Sequence, residues 1–324
     1  MGKKHDFIVK LGMILILMMS VMLFIRNPLE THDRLNQALW NTGHLFFFAL
    51  LVALLLNQAL LVRRSWSVKL LFSVLLSLVL GGLIEVAQYS VGRYMELEDV
   101  MQDVLGGLLG FLVVFYFTGS SESDIFKSIA QKKAVTGAFL ILIVLLAFYP
   151  AYKIVQDNRR MLDDFPLLAG FESADELARW ESDFVNQMRF DRQTVIEGDF
   201  SLFVEFGVSE YSDITLHAFP GDWRGYGWLN LSIYNDQRDD LLIELKIFDN
   251  QHAGNGYAYS DRFNRLLVLI PGWNEVKVSL DDIQSAARNR KVDMQNIAVV
   301  SLFVHRPSEP QRIYLDNIYL SEKK

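Results

Sequence analysis

Five runs of about 20 apolar residues crowd into the first half of this chain, the length a helix needs to cross a bilayer core. They lie at residues 7–25, 43–62, 68–91, 100–118 and 134–152. No soluble fold accommodates that pattern easily, so the first half is predicted to be an α-helical transmembrane bundle. Lys3 and Lys4 precede the first run as in a secretory signal. Arg26-Asn27-Pro28 is a poor small-residue cleavage site, however, and the run is read as a retained helix. The two halves also differ in charge. Residues 1–160 carry 15 Lys/Arg against 11 Asp/Glu, whereas residues 161–324 carry 16 against 27. The acidic half excludes nucleic acid as a partner, which would need a basic footprint. The chain has no cysteine, so disulfides and thiolate chemistry are excluded.

Lys/Arg asymmetry predicts orientation. With the N-terminus in the cytoplasm, the inner segments hold Lys3, Lys4, Lys10, Arg63, Arg64, Lys69, Lys127, Lys132 and Lys133, while the outer loops hold Arg26, Arg34 and Arg93. The expectation is a multi-pass protein of the cell (inner, cytoplasmic) membrane with an extracytoplasmic C-terminal domain. Lys153, Arg159 and Arg160 just beyond the last run count against it. The predicted division is 1–155 transmembrane, 156–165 linker and 166–324 external.

Ionisable residues inside a span cost about 2.5–3.5 kcal/mol each at the membrane centre on insertion scales, and so point to function. His44 opens the second run, Glu85 and Gln88 lie near the end of the third, Arg93 occupies the connection, and Asp99 and Asp103 open the fourth. Glu85 and Gln88 are spaced i,i+3 and Asp99 and Asp103 i,i+4, so each pair shares a helix face. Gly81, Gly82 and Gly106-x-x-x-Gly110 allow close helix approach. Arg93 is expected to pair with Glu85 or to offer its planar fork to a phosphate or carboxylate. Plainer roles stand beside these. His44 suits an interfacial helix end, Asp99 a helix N-cap, and Glu96 and Glu98 a solvated loop. Metal binding by His44, Glu85 and Asp99 is conceivable, although no ligand-spacing motif marks it.

This ordered set, His44, then Gly82-Leu-Ile-Glu85-Val-Ala-Gln88, then Gly92-Arg93, then Asp99-x-x-x-Asp103-x-x-Gly106, resembles the VanZ-like membrane proteins over about residues 35–118. Those proteins are named for a protein linked to glycopeptide (teicoplanin) resistance. Asp103 departs from their pattern, which has Asn there. The resemblance implies a cell-envelope role and no particular reaction.

From about residue 165 short alternating runs broken by turn residues predict a β-sandwich. In Gly225–Tyr234, Leu229, Leu231 and Ile233 face one way and Tyr226, Trp228, Asn230, Ser232 and Tyr234 the other. Residues 241–248, 273–280, 297–304 and 312–320 read as further strands, and Pro271-Gly272 as a turn. A face bearing Trp223, Tyr226, Trp228 and Tyr234 suits stacking against sugar rings; the plainer reading is a solvated sheet face using aromatics for β-propensity. Phe171-Glu172, Asp222-Trp223-Arg-Gly-Tyr226, Pro271-Gly272-Trp273-Asn274 and Ile313-Tyr-Leu-Asp316-Asn-Ile318 together resemble a galactose-binding-like jelly roll, as in carbohydrate-binding modules. That likeness implies a structural Ca²⁺ at Glu172 and Asp316; no other cofactor is expected.

The leading reading is a non-enzymatic envelope protein. Its membrane half binds an anionic lipid or lipid-linked precursor, and its outer domain a polysaccharide or envelope protein. The alternatives are a membrane enzyme acting on a lipid phosphate, with Glu85 or Asp99 as general base and Arg93 on the phosphate oxygen, and a plain anchor for the sandwich.

Overall fold

The computed structural model describes residues 2–24, 34–90, 97–118 and 128–323, with side chains from Lys10 onward. The chain divides into two units, Met1–Ile154 and Val155–Lys324. The first is helical, with α1 Gly2–Phe24, α2 Arg34–Leu56, the short α3 Ala59–Val62, α4 Trp66–Ser90, α5 Leu97–Thr118 and α6 Ile129–Asp164. Among the described residues α2, α4, α5 and α6 are each long and apolar enough to cross a membrane. The part of α1 from Lys10 to Phe24 is apolar but shorter.

Helix α2 begins earlier than its apolar run. Its first turns are polar, yet they are stitched along the helix: Gln37 Nε2 donates to Asn41 Oδ1 (3.2 Å) and Thr42 Oγ1 to Leu39 O (2.7 Å). His44 therefore does not open the helix. It lies ten residues inside, about 15 Å along at ~1.5 Å per residue. Helix α5 packs between α2 and α4. Gly106 and Gly110 make this approach possible, because a Cβ at either would collide with the α2 backbone at Leu45 or Ala49. The small-residue spacing thus faces α2.

Helix α6 continues through residues 156–164, where the sequence suggested a linker. From Val155 these residues belong to the second unit. There Asp157 takes a bidentate hold on Arg179, with Nε to Oδ2 at 3.0 Å and Nη2 to Oδ1 at 2.5 Å, both side chains buried.

The second unit is a sandwich of two antiparallel sheets. One has the order β3 (Val185–Asp191), β4 (Ser201–Phe206), β11 (Gln311–Ser321), β6 (Trp228–Asn235), β9 (Gly272–Ser279), with β1 (Leu167–Ala169) paired to β11. The other has the order β2 (Trp180–Asp183), β5 (Tyr211–Leu216), β10 (Ile297–His305), β7 (Leu241–Asp249), β8 (Phe263–Leu269). Alternation holds as read: Leu229, Leu231 and Ile233 of β6 meet Ile243, Leu245 and Ile247 of β7 in one core, all with no exposure. Pro271-Gly272 does not close a hairpin. It carries the chain from β8 in one sheet to β9 in the other, with Gly272 at φ +94°.

Candidate functional site: a buried histidine–carboxylate cluster and an aromatic row

The membrane unit gathers four of its ionisable residues into one cluster. His44 comes from α2, Glu85 from α4, and Asp99 and Asp103 from α5; none is more than 3% exposed. The i,i+4 spacing of the two aspartates places both against one imidazole. His44 Nδ1 stands 2.9 Å from Asp103 Oδ1, and Nε2 stands 3.5 Å from Asp99 Oδ2. One ligand-type atom each from His44, Glu85 and Asp99 falls within a 4.8 Å span. Asp103 fits because Gly81 faces it on α4; a Cβ there would overlap its carboxylate. Gln88, fully buried, donates Nε2 to Leu23 O at the end of α1 (2.7 Å). Gln102, not singled out in the sequence, donates to Ala147 O of α6 (3.0 Å). Arg93 and Glu96 lie outside the described residues.

A cavity of about 230 Å³ adjoins the cluster, walled by Met19, Met22 and Leu23 of α1 and Leu39, Trp40 and Phe46 of α2, with His44 on its lining. Its walls are mostly apolar, Thr42 apart, and among the described residues His44 is its one ionisable lining residue. His44 therefore belongs to both the cavity and the acid cluster.

On the sandwich the structure rearranges the expected aromatic face. Trp223 is fully buried in the core, its indole donating to Pro220 O (3.1 Å), so it cannot contact a ligand. It lies on a loop before β6, where strand alternation says nothing about direction. Tyr226 also precedes β6 and packs against the core, its ring 5.4 Å from Phe165. Trp228 is on the strand but sits under Lys277, whose ammonium is 4.5 Å from the ring. Tyr234 instead joins a row across five strands. Arg189 covers Phe203 (4.5 Å), Phe203 meets Tyr314 (5.2 Å), Tyr314 meets Tyr234 (5.7 Å) and Tyr234 meets Trp273 (5.5 Å). The strand register sets this row, pairing Tyr314 with Phe203 and Tyr234, and Tyr234 with Trp273. Ser232 and Glu275, hydrogen-bonded at 3.0 Å, flank it. Tyr234, Trp273 and Tyr314 are partly exposed.

Glu172 and Asp316 pin the loop between β3 and β4. Glu172 Oε1 accepts from the N–H groups of Asp199 and Phe200, at 2.9 and 3.1 Å. Asp316 Oδ2 accepts from those of Ile196 and Glu197, at 2.9 and 3.3 Å. Burial, with the nearby charge of Glu172, pushes the Asp316 carboxyl up despite these donors. A calcium ion held by this pair would share oxygens already engaged by backbone N–H groups.

Residues 3–118 match the family described as VanZ/LLP1. They form a VanZ-like domain. The cluster residues His44, Glu85, Gln88, Asp99 and Asp103 all lie within it. None of the curated proteins compared with the chain matches it. Solved structures resembling the C-terminal half are carbohydrate-binding modules and glycoside hydrolases. A family 11 carbohydrate-binding module from Clostridium thermocellum in complex with a β-1,3-1,4-mixed-linked tetrasaccharide is 13% identical, with TM-score 0.38, covering 48% of this chain and 94% of that one. An exo-β-agarase is 16% identical, with TM-score 0.40, covering 49% of this chain and 25% of that one. The chain thus spans a quarter of that agarase's length.

Proposed function

We propose that this is a multi-pass cell-envelope protein whose VanZ-like domain holds a lipid or lipid-linked envelope precursor. The apolar tail occupies the cavity beside His44 and the polar group lies at the His44–Glu85–Asp99–Asp103 cluster. One observation carries this reading: His44 lines a mostly apolar cavity of about 230 Å³ and also lies against two buried aspartates. An amphiphile matches such a pocket, because its tail replaces water on apolar walls and its head satisfies polar groups that are costly to bury unpaired. Arg93, eight positions after Glu85, is the proposed basic contact for an anionic head. The orientation with the N-terminus in the cytoplasm and the sandwich outside belongs to the same proposal, supported by the Lys/Arg bias.

Gly43 offers the test. It lines the cavity, and a Cβ added there meets nothing within 4 Å. Gly43→Phe is therefore expected to place its ring in this space. Full-length protein in nanodiscs carrying a photoreactive phospholipid is expected to crosslink the lipid, and Gly43→Phe to reduce the yield at least tenfold. Equal labelling of both proteins would remove the pocket from the reading.

The sandwich is proposed as the glycan-binding part, with Tyr234, Tyr314 and Trp273 as the platform in place of Trp223 and Tyr226. Partly exposed rings in a fixed row supply stacking surface at low conformational cost, and Glu275 and Arg189 supply hydrogen-bonding groups beside them.

A further inference from the structure

A polar lipid head that carries phosphate would arrive beside three carboxylates, and the geometry of the cluster shows how the site accommodates it. We infer that His44, Glu85 and Asp99 bind one divalent transition-metal ion, with Asp103 holding the imidazole in position. The proposal rests on the lipid-pocket reading only for the group that completes the coordination.

Three features support the ion. The first is tautomer control. When the imidazole is neutral and Asp103 is a carboxylate, which only accepts hydrogen bonds, the 2.9 Å contact puts the one ring hydrogen on Nδ1. Nε2 then presents a lone pair. A histidine held by a carboxylate on one nitrogen and bound to metal through the other is the usual arrangement of metal-ligating histidines. The second is the spacing. The Nε2 lone pair faces Asp99 Oδ2 at 3.5 Å. Ligands about 2.1 Å from a tetrahedral zinc ion stand roughly 3.4 Å apart. The Glu85 carboxylate completes the set within a 4.8 Å span. The third is Gln88, fully buried one helical turn beyond Glu85 on the same face of α4. Its Oε1 has no hydrogen-bond partner among the described residues, which leaves a neutral oxygen to accept from a metal-bound water.

One nitrogen and two carboxylates leave a fourth position open on a four-coordinate ion, as in zinc sites that bind a water or substrate oxygen. That position is where the oxygen of a phosphate or carboxylate head would sit. Both are anionic oxygens, and the ion neutralises them among the acids. The same set binds in its deprotonated forms, so uptake weakens as pH falls.

The test uses full-length protein purified in detergent, stripped with a chelator and titrated with Zn²⁺ alone, with bound metal counted by mass spectrometry. Saturation at one ion per chain is expected, together with a rise in unfolding temperature that follows zinc concentration. His44→Ala and Glu85→Gln are expected to weaken binding at least 100-fold. Asp103→Asn, which loosens the imidazole without removing a ligand, should weaken it about 10–100-fold. Each variant's metal-free melting curve reports folding, and Asp99→Asn replaces any that fails to fold. Wild-type protein that takes up no zinc saturably, or Glu85→Gln that binds as wild type does, overturns the inference. Photoreactive lipid capture on the same samples reads the pocket separately: zinc bound while wild type and Gly43→Phe label equally with lipid supports the ion and removes only the pocket, whereas lipid captured without zinc removes the ion.

Discussion

Each unit of this protein buries a histidine against an aspartate, and the two settings differ in what surrounds the pair. In the sandwich, His252 Nδ1 stands 3.1 Å from Asp261 Oδ2, and neither group is left to balance charge alone. Arg290 grips Asp261 at 2.7 and 2.8 Å and Asp249 at 2.5 and 2.8 Å, while Asn255 adds a bond to Asp261. That hydrogen-bonded guanidinium holds the Asp261 carboxyl well below its ordinary range. The network joins the end of β7 to the loops around residues 261 and 290. In the membrane unit, His44 meets Asp103 at a similar 2.9 Å, but the second imidazole nitrogen faces another acid. The geometry of the pair is nearly the same; the neighbouring charge makes one a clasp and underlies the binding role proposed for the other.

The largest expected effect tests the clasp. Arg290→Met removes the guanidinium from Asp249, whose side chain is fully buried. Breaking a buried pair by deleting one partner costs about 3–5 kcal/mol because the other charge stays buried. Chemical denaturation of the full chain, followed through tryptophan fluorescence, should show the sandwich transition shifted by that amount, with zinc stoichiometry unchanged. Glu85→Gln should show the reverse, losing zinc while leaving the sandwich transition in place. A common effect on both readouts would erase the distinction drawn here.

Acid titration sharpens the comparison within the sandwich, because two carboxylates there are shifted in opposite directions. Asp261 is depressed, first by the Arg290 hydrogen bond, from an ordinary value of 3.8. Its contribution to stability is complete above that ordinary value and is lost as pH falls below it toward the folded value. Asp316 is raised from 3.8, first by burial. Its contribution is complete below 3.8 and is lost as pH rises through the raised folded value. Unfolding of Asp316→Asn compared with wild type should therefore lack a fall in stability between about pH 4 and neutrality. Arg290→Met should flatten the acid limb below it. An Asp316→Asn curve parallel to wild type throughout would show that burial does not control this group.

Much of this was legible in the sequence, and the reasons for the failures are physical. Apolar runs located the helices because lipid permits little else, and alternation placed Leu229, Leu231 and Ile233 inward because one sheet face is dry. The first turns of α2 were missed because residues 34–43 are polar and contain Asn36, Asn41 and Gly43; Gln37–Asn41 and Thr42–Leu39 bonds sustain the helix there. The membrane cluster was found through its i,i+3 and i,i+4 spacings, but the closeness of His44 to Asp103 depends on how α2 meets α5 across Gly106 and Gly110. The aromatic row was invisible because Phe203, Tyr314, Tyr234 and Trp273 come from strands far apart in sequence. Only register brings them together. Trp223 was misplaced because a loop residue has no alternation to orient it. The Arg290 clasp links positions 249, 261 and 290, which share no spacing that local geometry would make meaningful.

The smallest expected effect is the most direct contrast, because the same substitution is made at both histidines. His252 is fully buried between Phe248 (ring centroids 4.5 Å) and Tyr257 (5.5 Å), and its Nε2 has no hydrogen-bond partner among the described residues. Phenylalanine suits those aromatic neighbours and carries no unsatisfied nitrogen. It gives up the bond to Asp261, but Asp261 keeps Arg290 and Asn255. A hydrogen bond of this kind contributes about 0.5–1.5 kcal/mol, up to about 3 with a charged partner, and removing the unpaired nitrogen offsets part of that loss. His252→Phe should therefore leave the sandwich transition within about 1 kcal/mol of wild type, with zinc and lipid binding intact. His44→Phe removes the nitrogen that faces Asp99 and the donor that Asp103 accepts from. It should abolish zinc uptake while leaving the sandwich transition unmoved. If His252→Phe unfolds the sandwich, the clasp depends on its histidine and the two clusters are more alike than their charges suggest. If His44→Phe retains one zinc ion per chain, the imidazole is not a ligand, and its place at the junction of cavity and cluster is a matter of packing.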